Sequence, residues 1–186
     1  MNTKDIVYIA LFAALTAALG LFPSFPLPVT GVPLTVQSMG PLLAGTILGA
    51  KRGFLSQALF VVLVAVGLPV LSGGRGGFGI LFGATAGFLL AWPLMALAVG
   101  YLTERFWRDL TLPKSIAITV IAGLGISNLL GIPWMAMVLG LNAKTAVVSS
   151  LTFVPGDLAK AILASVVGMA VRRSYPIIAK ERARAL

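Results

Sequence analysis

The chain alternates long apolar runs with short polar connections. Six apolar runs lie at about residues 6–22, 35–49, 54–71, 78–102, 116–139 and 151–171. About 20 apolar residues in a helix are enough to cross the hydrocarbon core of a bilayer. The pattern therefore predicts an all-α integral membrane protein with six transmembrane helices, folded as a single membrane-embedded domain over residues 1–186. The second run is short and contains Pro41, so we expect it to be kinked or to span the membrane incompletely.

The distribution of lysine and arginine predicts the orientation. With the N-terminus in the cytoplasm, Arg75 and Lys144 fall in outer loops and Lys160 falls inside the sixth run. The remaining basic residues then face the cytoplasm: Lys4, Lys51, Arg52, Arg105, Arg108, Lys114, Arg172, Arg173, Lys180, Arg182 and Arg184. Because basic residues concentrate on the cytoplasmic side of membrane proteins, this asymmetry predicts that both termini are cytoplasmic.

Composition excludes several functional classes. Hydrophobic residues make up 59% of the 186 residues, charged residues make up 10%, and cysteine and histidine do not occur. Thiol nucleophiles, imidazole bases and the usual transition-metal ligands are therefore lacking, and we expect no cofactor and no metal site. The formal charge of +9 does not indicate nucleic acid as a partner, because the basic residues lie between apolar runs and form no soluble basic face.

An acid and a base stand three residues apart at the start of the sixth run. Asp157 and Lys160 follow Pro155 and Gly156. A charge near the centre of a bilayer costs about 2.5–3.5 kcal/mol on insertion scales, so such residues usually face a protein interior, pair, or hold a polar ligand. The spacing also permits an ion pair that locks two helices, or a helix cap at Asp157. We favour a binding site, because Pro155 and Gly156 would open the helix start beside the acid.

Two of the outer connections have distinct chemistry. The first, residues 23–35, is rich in proline and uncharged, and we expect it to form an ordered lid. The second, the glycine-rich loop at residues 72–79, holds Arg75 next to Gly76 and Gly77. A guanidinium can bind a carboxylate through two parallel hydrogen bonds, and glycine amides would add donors. The alternative is a flexible loop with a solvated arginine. The Gly-x-x-x-x-Gly-Lys-Ser/Thr pattern is missing, so nucleotide hydrolysis is not expected.

Two further functional classes differ from a binding protein. An intramembrane enzyme could use Asp157 and Lys160 as acid and base, but the lack of a second intramembrane carboxylate, of histidine and of cysteine makes hydrolytic machinery hard to assemble. A purely structural membrane protein would not explain Arg75. Gln37 and Thr85 lie toward the outer halves of their runs, where they could meet a ligand below the loops.

Four segments occur in the order found in a known family. They are Val36-Gln37-Ser38-Met39-Gly40 after the proline-rich loop, Gly67-Leu68-Pro69-Val70 with Gly73-Gly74-Arg75-Gly76-Gly77, Gly131-Ile132-Pro133-Trp134, and Phe153-Val154-Pro155-Gly156-Asp157-Leu158-Ala159-Lys160. Through these segments the chain closely resembles, over nearly its whole length, the BioY family of biotin-binding S components of energy-coupling factor (ECF) transporters.

The resemblance implies an ECF S-component fold in the cytoplasmic membrane of a prokaryote. It also implies high-affinity biotin capture, with a transmembrane coupling (T) subunit and two ATP-binding (A) subunits as partners. ATP hydrolysis would belong to those partners, so the chain itself would not be an enzyme. A solitary biotin carrier that works without the ATP-binding subunits is the alternative.

The resemblance also implies roles for individual residues. Asp157 and Lys160 would bind the ureido ring of biotin, and Arg75 would bind the valerate carboxylate. The other expected contacts are Gln37, Gly76, Gly77, Phe78, Thr85, Asn128, Trp134 and Phe153. The alanine stripe, formed by Ala10, Ala14 and Ala18, is similar to the motif by which S components dock to the coupling subunit; packing within the bundle is the alternative.

One segment departs from the family pattern. Residues 83–88 read Gly-Ala-Thr-Ala-Gly-Phe, where the family commonly has Gly-Pro-Thr-Gly-Gly-Tyr. Thr85 is retained, but Phe88 has no hydroxyl group, so a hydrogen bond from this position is not expected.

Overall fold

The computed structural model describes residues 2–26 and 31–178, and it is mainly helical. Pro28 of the predicted lid and Lys180, Arg182 and Arg184 of the predicted cytoplasmic tail lie outside the described residues. The helices are α1 (Thr3–Leu19), α2 (Met39–Leu48), α3 (Ala50–Ala65), α4 (Ala86–Arg105), α5 (Leu112–Ile118), α6 (Gly125–Leu139), α7 (Ala143–Ser150) and α8 (Val154–Ser174). Strands β1 (Phe25–Pro26) and β2 (Pro33–Leu34) pair antiparallel in the lid.

The helices join into the six segments that the apolar pattern predicts. A π-helical stretch, Thr119–Leu124, connects α5 to α6, and a 3₁₀ turn, Leu151–Phe153, connects α7 to α8. In the part of the chain that the structure describes, three helices are long and apolar enough to cross a membrane: Ala86–Arg105, Leu112–Leu139 and Ala143–Ser174. The prediction of six helical segments is therefore confirmed.

Helix α2 lies at the centre of the bundle. Its residues from Gly40 to Leu48 are all buried, and it packs against α1, α3, α4 and α8. Its 10 residues give a length of about 15 Å at the usual rise per residue, roughly half the thickness of the hydrocarbon core. The expectation of an incomplete span is therefore confirmed. Pro41 lies in the first turn, where its missing N–H has no intrahelical partner to lose.

Polar contacts join the helices at the predicted cytoplasmic end. The Asp5 carboxylate on α1 lies 2.7 Å from Nη2 of Arg52 on α3. The carboxylate of Glu104 accepts a hydrogen bond of 2.7 Å from the amide of Ala50, the first residue of α3. The guanidinium of Arg172 on α8 donates to the carbonyl groups of Trp107 and Leu110 between α4 and α5. These contacts hold the bundle at the end opposite the glycine-rich loop and the lid.

Candidate functional site

A cavity opens between α4, α6 and α8, next to the residues that lead into α2, beneath the lid and beside the glycine-rich loop. Together with the part open to solvent, its empty space amounts to about 690 Å³. Of the predicted ligand contacts, those lining it are Gln37, Arg75, Thr85, Phe153, Asp157 and Lys160. Those outside its lining are Gly76, Gly77, Phe78, Asn128 and Trp134. The cavity thus brings together charged side chains from segments that are far apart in the sequence.

Lys160 uses all three of its ammonium protons within the protein. Its Nζ lies 2.7 Å from Oδ1 of Asp157, 2.9 Å from the carbonyl oxygen of Thr35 and 2.9 Å from Oγ of Ser38. A lysine ammonium has three N–H donors and no acceptor, so this set is complete. The predicted ion pair therefore exists, and Lys160 also joins α8 to the residues just before α2.

Asp157 keeps an acceptor for a ligand. Its Oδ1 atom accepts from Lys160, whereas Oδ2 makes no hydrogen bond within residues 2–26 and 31–178. The residue lies in the first turn of α8, but Phe153 occupies the cap position, so the alternative reading of Asp157 as a helix cap is wrong. A half-buried carboxylate oxygen at a cavity wall is suited to accept an N–H from a polar ligand.

The start of α8 does not open as the sequence predicts. Pro155 lies in the first turn of the helix, and the 3₁₀ turn Leu151–Phe153 carries the chain into it without a break. Because proline in the first turn removes only an N–H that has no intrahelical partner, the helical path continues. The helix start therefore contributes the Asp157 side chain to the cavity.

Arg75 lies in a folded turn. The amides of Gly74 and Arg75 donate to the carbonyl oxygen of Leu71 at 2.9 and 3.2 Å, and the amide of Leu71 donates to the carbonyl oxygen of Arg75 at 3.0 Å. Gly73 and Gly74 adopt φ of 80° and 68°, a region in which residues with a Cβ are disfavoured. These contacts argue against the alternative of a flexible loop.

The guanidinium of Arg75 is available to an anion. Its Nε donates to the carbonyl oxygen of Ser72 at 3.2 Å, which fixes the direction of the side chain. Its two terminal nitrogens make no hydrogen bond with the residues that the structure describes, and the side chain is exposed at the cavity mouth. Two parallel N–H groups in this position are suited to a carboxylate.

Gly76 and Gly77 maintain the path of this loop. A Cβ on Gly76 would overlap the carbonyl oxygen of Leu68, so only glycine allows the two backbones to lie this close. Gly77 adopts φ of 106°, and its amide donates to the carbonyl oxygen of Val64 on α3 at 2.8 Å. Both glycines therefore act on the shape of the loop that carries Arg75.

The amide group of Gln37 is fully occupied by protein partners. Its Nε2 donates to the carbonyl oxygens of Thr16 at 3.0 Å and Val70 at 2.7 Å. Its Oε1 accepts from the amide and the hydroxyl of Ser72 at 3.1 and 3.3 Å. A glutamine amide has two donors and two acceptor sites, so these four contacts complete it. Gln37 lines the cavity with a side chain that is already bonded.

The remaining predicted contacts lie around the cavity. Trp134 donates from Nε1 to the carbonyl oxygen of Gly83 at 3.0 Å and so supports the turn before α4. Asn128 donates to the carbonyl oxygen of Leu124 in its own helical segment. Phe78 is exposed and packs edge-on against Phe82. These side chains shape the neighbourhood of the cavity without lining it.

Several lining residues were missed from the sequence. Ser38 binds Lys160, and Ser72 binds Gln37. On α4, Phe88 and Trp92 form part of the apolar wall. These two follow the predicted contact Thr85 at helical spacing, so extending that spacing along α4 would have found them.

The described end of the lid covers one side of the cavity. Residues 32–35 line it, and Val32 is buried beside Phe153 and Met135. A Cβ on Gly156 would lie 3.3 Å from Leu34, so β2 packs closely against the start of α8. The lid residues therefore contact the same turn that carries Asp157.

All three residues of the alanine stripe lie on an exposed face of α1. Ala10, Ala14 and Ala18 are exposed, whereas Ala13 is 2% exposed. The alternative, in which the stripe packs within the bundle, is therefore wrong. An exposed line of small side chains allows another helix to approach closely.

Comparisons with known proteins agree on one family. A model described as "BioY family" matches residues 1–177. The biotin transporter BioY of Rhizobium etli is 43% identical over 183 residues, covering 96% of this chain and 98% of that protein. The probable biotin transporter BioY of Bacillus subtilis is 41% identical over 173 residues, covering 93% of this chain and 92% of that protein. A crystal structure of the S-component for biotin from an ECF-type ABC transporter matches with a TM-score of 0.88 at 30% identity. The match covers 93% of this chain and 95% of that one. The predicted S-component fold is thereby confirmed.

Proposed function

Since the chain belongs to the BioY family, we propose that it captures biotin at the outer face of a prokaryotic cytoplasmic membrane, as the substrate-binding subunit of an ECF-type ABC transporter. The observation that carries the proposal is the pair of available groups in one cavity: the Oδ2 atom of Asp157 and the terminal guanidinium nitrogens of Arg75. These groups complement a ligand with an N–H donor at one end and a carboxylate at the other.

Biotin has this distribution of polar groups. Its ureido ring carries N–H donors, which would bind Oδ2 of Asp157, and its valerate carboxylate would bind Arg75 at the mouth. The bicyclic ring and alkyl chain would lie against the apolar wall that Phe88, Trp92 and Phe153 contribute. Lys160 could donate to the ureido carbonyl only by releasing one of its present acceptors, so its main role is to orient Asp157.

Transport requires partners in this proposal. A coupling subunit would dock on the alanine stripe, whose exposure supports a helix contact there. Two ATP-binding subunits would hydrolyse ATP, and this chain would have no enzymatic activity. Uptake that continues at the full rate after the ATP-binding subunits are deleted would instead support a solitary carrier.

Both termini lie in the cytoplasm in this proposal. The basic residues Arg105, Arg108 and Lys114 fall in or near the connection between α4 and α5, and Arg172 and Arg173 lie at the end of α8. The distribution of positive charge supports a cytoplasmic position for this end of the bundle. The cavity and the lid then face the outside, which is the side from which a vitamin would be captured.

The test is equilibrium binding of labelled biotin to the detergent-purified chain, with other vitamins as competitors. Because a hydrogen bond to a charged group contributes about 1.5–3 kcal/mol, Arg75→Ala and Asp157→Asn should each weaken binding roughly tenfold to a hundredfold. Lys144→Ala is the matched control, since this lysine is exposed on α7 and should have no effect. A folded chain without saturable, biotin-selective binding would contradict the proposal.

A further inference from the structure

Gln37 connects three segments of the protein while lying at the cavity wall. Only 1% of the residue is exposed, and its four hydrogen bonds leave no donor or acceptor for a ligand. We propose that Gln37 is a positioning residue for ligand recognition, which sets selectivity for a carboxylate by holding the glycine-rich loop and, through it, Arg75. This inference rests on the proposed function, and it differs from the direct contact that the sequence predicts for Gln37.

The path from Gln37 to Arg75 passes through one residue. Oε1 of Gln37 accepts from both the amide and the hydroxyl of Ser72. The carbonyl oxygen of Ser72 then accepts from Nε of Arg75 at 3.2 Å. On the other side of Leu71, the carbonyl oxygen of Val70 accepts from Nε2 of Gln37. Gln37 therefore binds the residues on both sides of Leu71, whose hydrogen bonds with Arg75 close the turn.

The other end of this connection is α1. The amide of Gly20 donates to the carbonyl oxygen of Ala17, while Thr16 receives a hydrogen bond from Gln37 at 3.0 Å. Carbonyl groups in the last turn of a helix lack intrahelical partners, and Gln37 supplies one. A Cβ on Gly20 would lie 2.6 Å from Nε2 of Gln37, so a glycine at this position gives the amide its space.

Gln57 provides a matched control. It is also a glutamine, is 0% exposed, and donates to Oγ1 of Thr16 at 3.1 Å. Unlike Gln37, it does not line the cavity, and its hydrogen bonds run to Thr16 and Ser56. Gln57→Leu thus removes a buried amide bonded to α1 without touching the glycine-rich loop.

The experiment compares two ligands in the detergent-purified full chain. The dissociation constant is measured for biotin and for biotin amide, in which a neutral carboxamide replaces the carboxylate. The selectivity ratio is the dissociation constant of biotin amide divided by that of biotin. In the wild type it should exceed about ten, because Arg75 binds the carboxylate through charge-assisted hydrogen bonds. It should fall to near one in Arg75→Ala. Gln37→Leu should lower it several-fold, whereas Gln57→Leu should keep the wild-type ratio.

The double variant separates positioning from direct contact. If Gln37 acts through Arg75, Gln37→Leu combined with Arg75→Ala should have the same ratio as Arg75→Ala alone, because coupled residues are not additive. If Gln37→Leu weakens both ligands equally and keeps the wild-type ratio, this role is wrong while the proposed function stands. A wild-type chain that does not bind biotin overturns both.

A second variant covers the case in which Gln37→Leu does not fold. Gly20→Ala keeps the glutamine, but its Cβ would lie 2.6 Å from Nε2 of Gln37 and 2.8 Å from the carbonyl oxygen of Val70. It therefore disturbs the hydrogen bond between these two groups and should lower the selectivity ratio in the same direction. A folded Gly20→Ala protein with the wild-type ratio would equally overturn the role. Elution as a single monodisperse peak, together with the melting temperature in detergent, identifies the folded variants.

Discussion

The ion pair between Asp157 and Lys160 should show strong energetic coupling in the protein without ligand. The two side chains are 19% and 11% exposed, with 2.7 Å between Oδ1 and Nζ. Lys160→Met would leave the Asp157 carboxylate without its counter-charge and would remove the donor to Thr35 and Ser38. Breaking a buried pair from one side costs about 3–5 kcal/mol. Because both side chains are partly exposed and Asp157 can turn toward the cavity, we expect a cost somewhat below this range, about 2–3 kcal/mol.

The other single variant should cost less. In Asp157→Asn the amide oxygen still accepts from Lys160, and the neutral acceptors of Thr35 and Ser38 remain, so the loss is mainly that of charge assistance, about 1–2 kcal/mol. The double variant carries no unpaired charge. It should therefore be more stable than the sum of the single effects predicts, by about 1–2 kcal/mol.

The assay is the free energy of unfolding of the detergent-purified chain, measured by denaturant titration without biotin. Lys144→Met is the control for removal of a lysine, since this side chain is exposed on α7, and it should change the free energy by less than about 0.5 kcal/mol. A double variant whose destabilisation equals the sum of the single variants within about 0.5 kcal/mol would refute the coupling.

Three further predictions concern the loop, the docking face and the orientation. Gly76→Ala should weaken biotin binding at least about tenfold, because its Cβ would overlap Leu68 and displace the turn that carries Arg75, the proposed partner of the biotin carboxylate. The control Gly79→Ala should bind biotin normally, because a Cβ there meets no atom within 4 Å. Ala14→Leu should abolish co-purification with the proposed coupling subunit and leave biotin affinity intact. The control Ala170→Leu, on the exposed surface of α8, should leave both co-purification and affinity intact. Lys144→Cys introduces the sole thiol into a chain without cysteine, and this thiol should react with a membrane-impermeant maleimide in intact cells. Reaction only after permeabilisation would show that the orientation is the opposite one.

The helical segments follow from apolar run length, but several of their ends do not. The fourth run begins at about residue 78, whereas α4 begins at Ala86. Residues Phe78–Phe82 are apolar yet form a 3₁₀ turn, since Gly77 and Gly83 on either side interrupt the α-helix. Conversely, the sixth segment begins earlier than its apolar run, because Oδ1 of Asn142 accepts from the amide of Thr145 and caps α7. Hydropathy predicts which segments are apolar enough to lie in lipid, whereas caps and glycines determine where the helices start.

The charged residues of the cavity could be found because a charge in an apolar setting needs a partner or a ligand. Aromatic residues give no such signal. Trp134 and Trp92 both lie in apolar helices, and only the structure shows that Trp92 lines the cavity while Trp134 supports Gly83. The resemblance located the segment around Gln37, but its hydrogen bonds depend on Ser72 and Thr16. Such contacts between distant residues cannot be read from composition or periodicity.

The two charged anchors proposed for the ligand depend on one short segment. Thr35 and Ser38 bind Lys160, which orients Asp157. Between them in the sequence, Gln37 binds the loop that carries Arg75. The separation of the carboxylate and the guanidinium therefore depends on residues 35–38, which lead from the lid into the fully packed α2. A ligand with a different distance between its polar ends would require this segment to move, and movement would break hydrogen bonds at both anchors. Under the proposed function, this shared segment would favour a ligand of matching length as well as of matching polar groups.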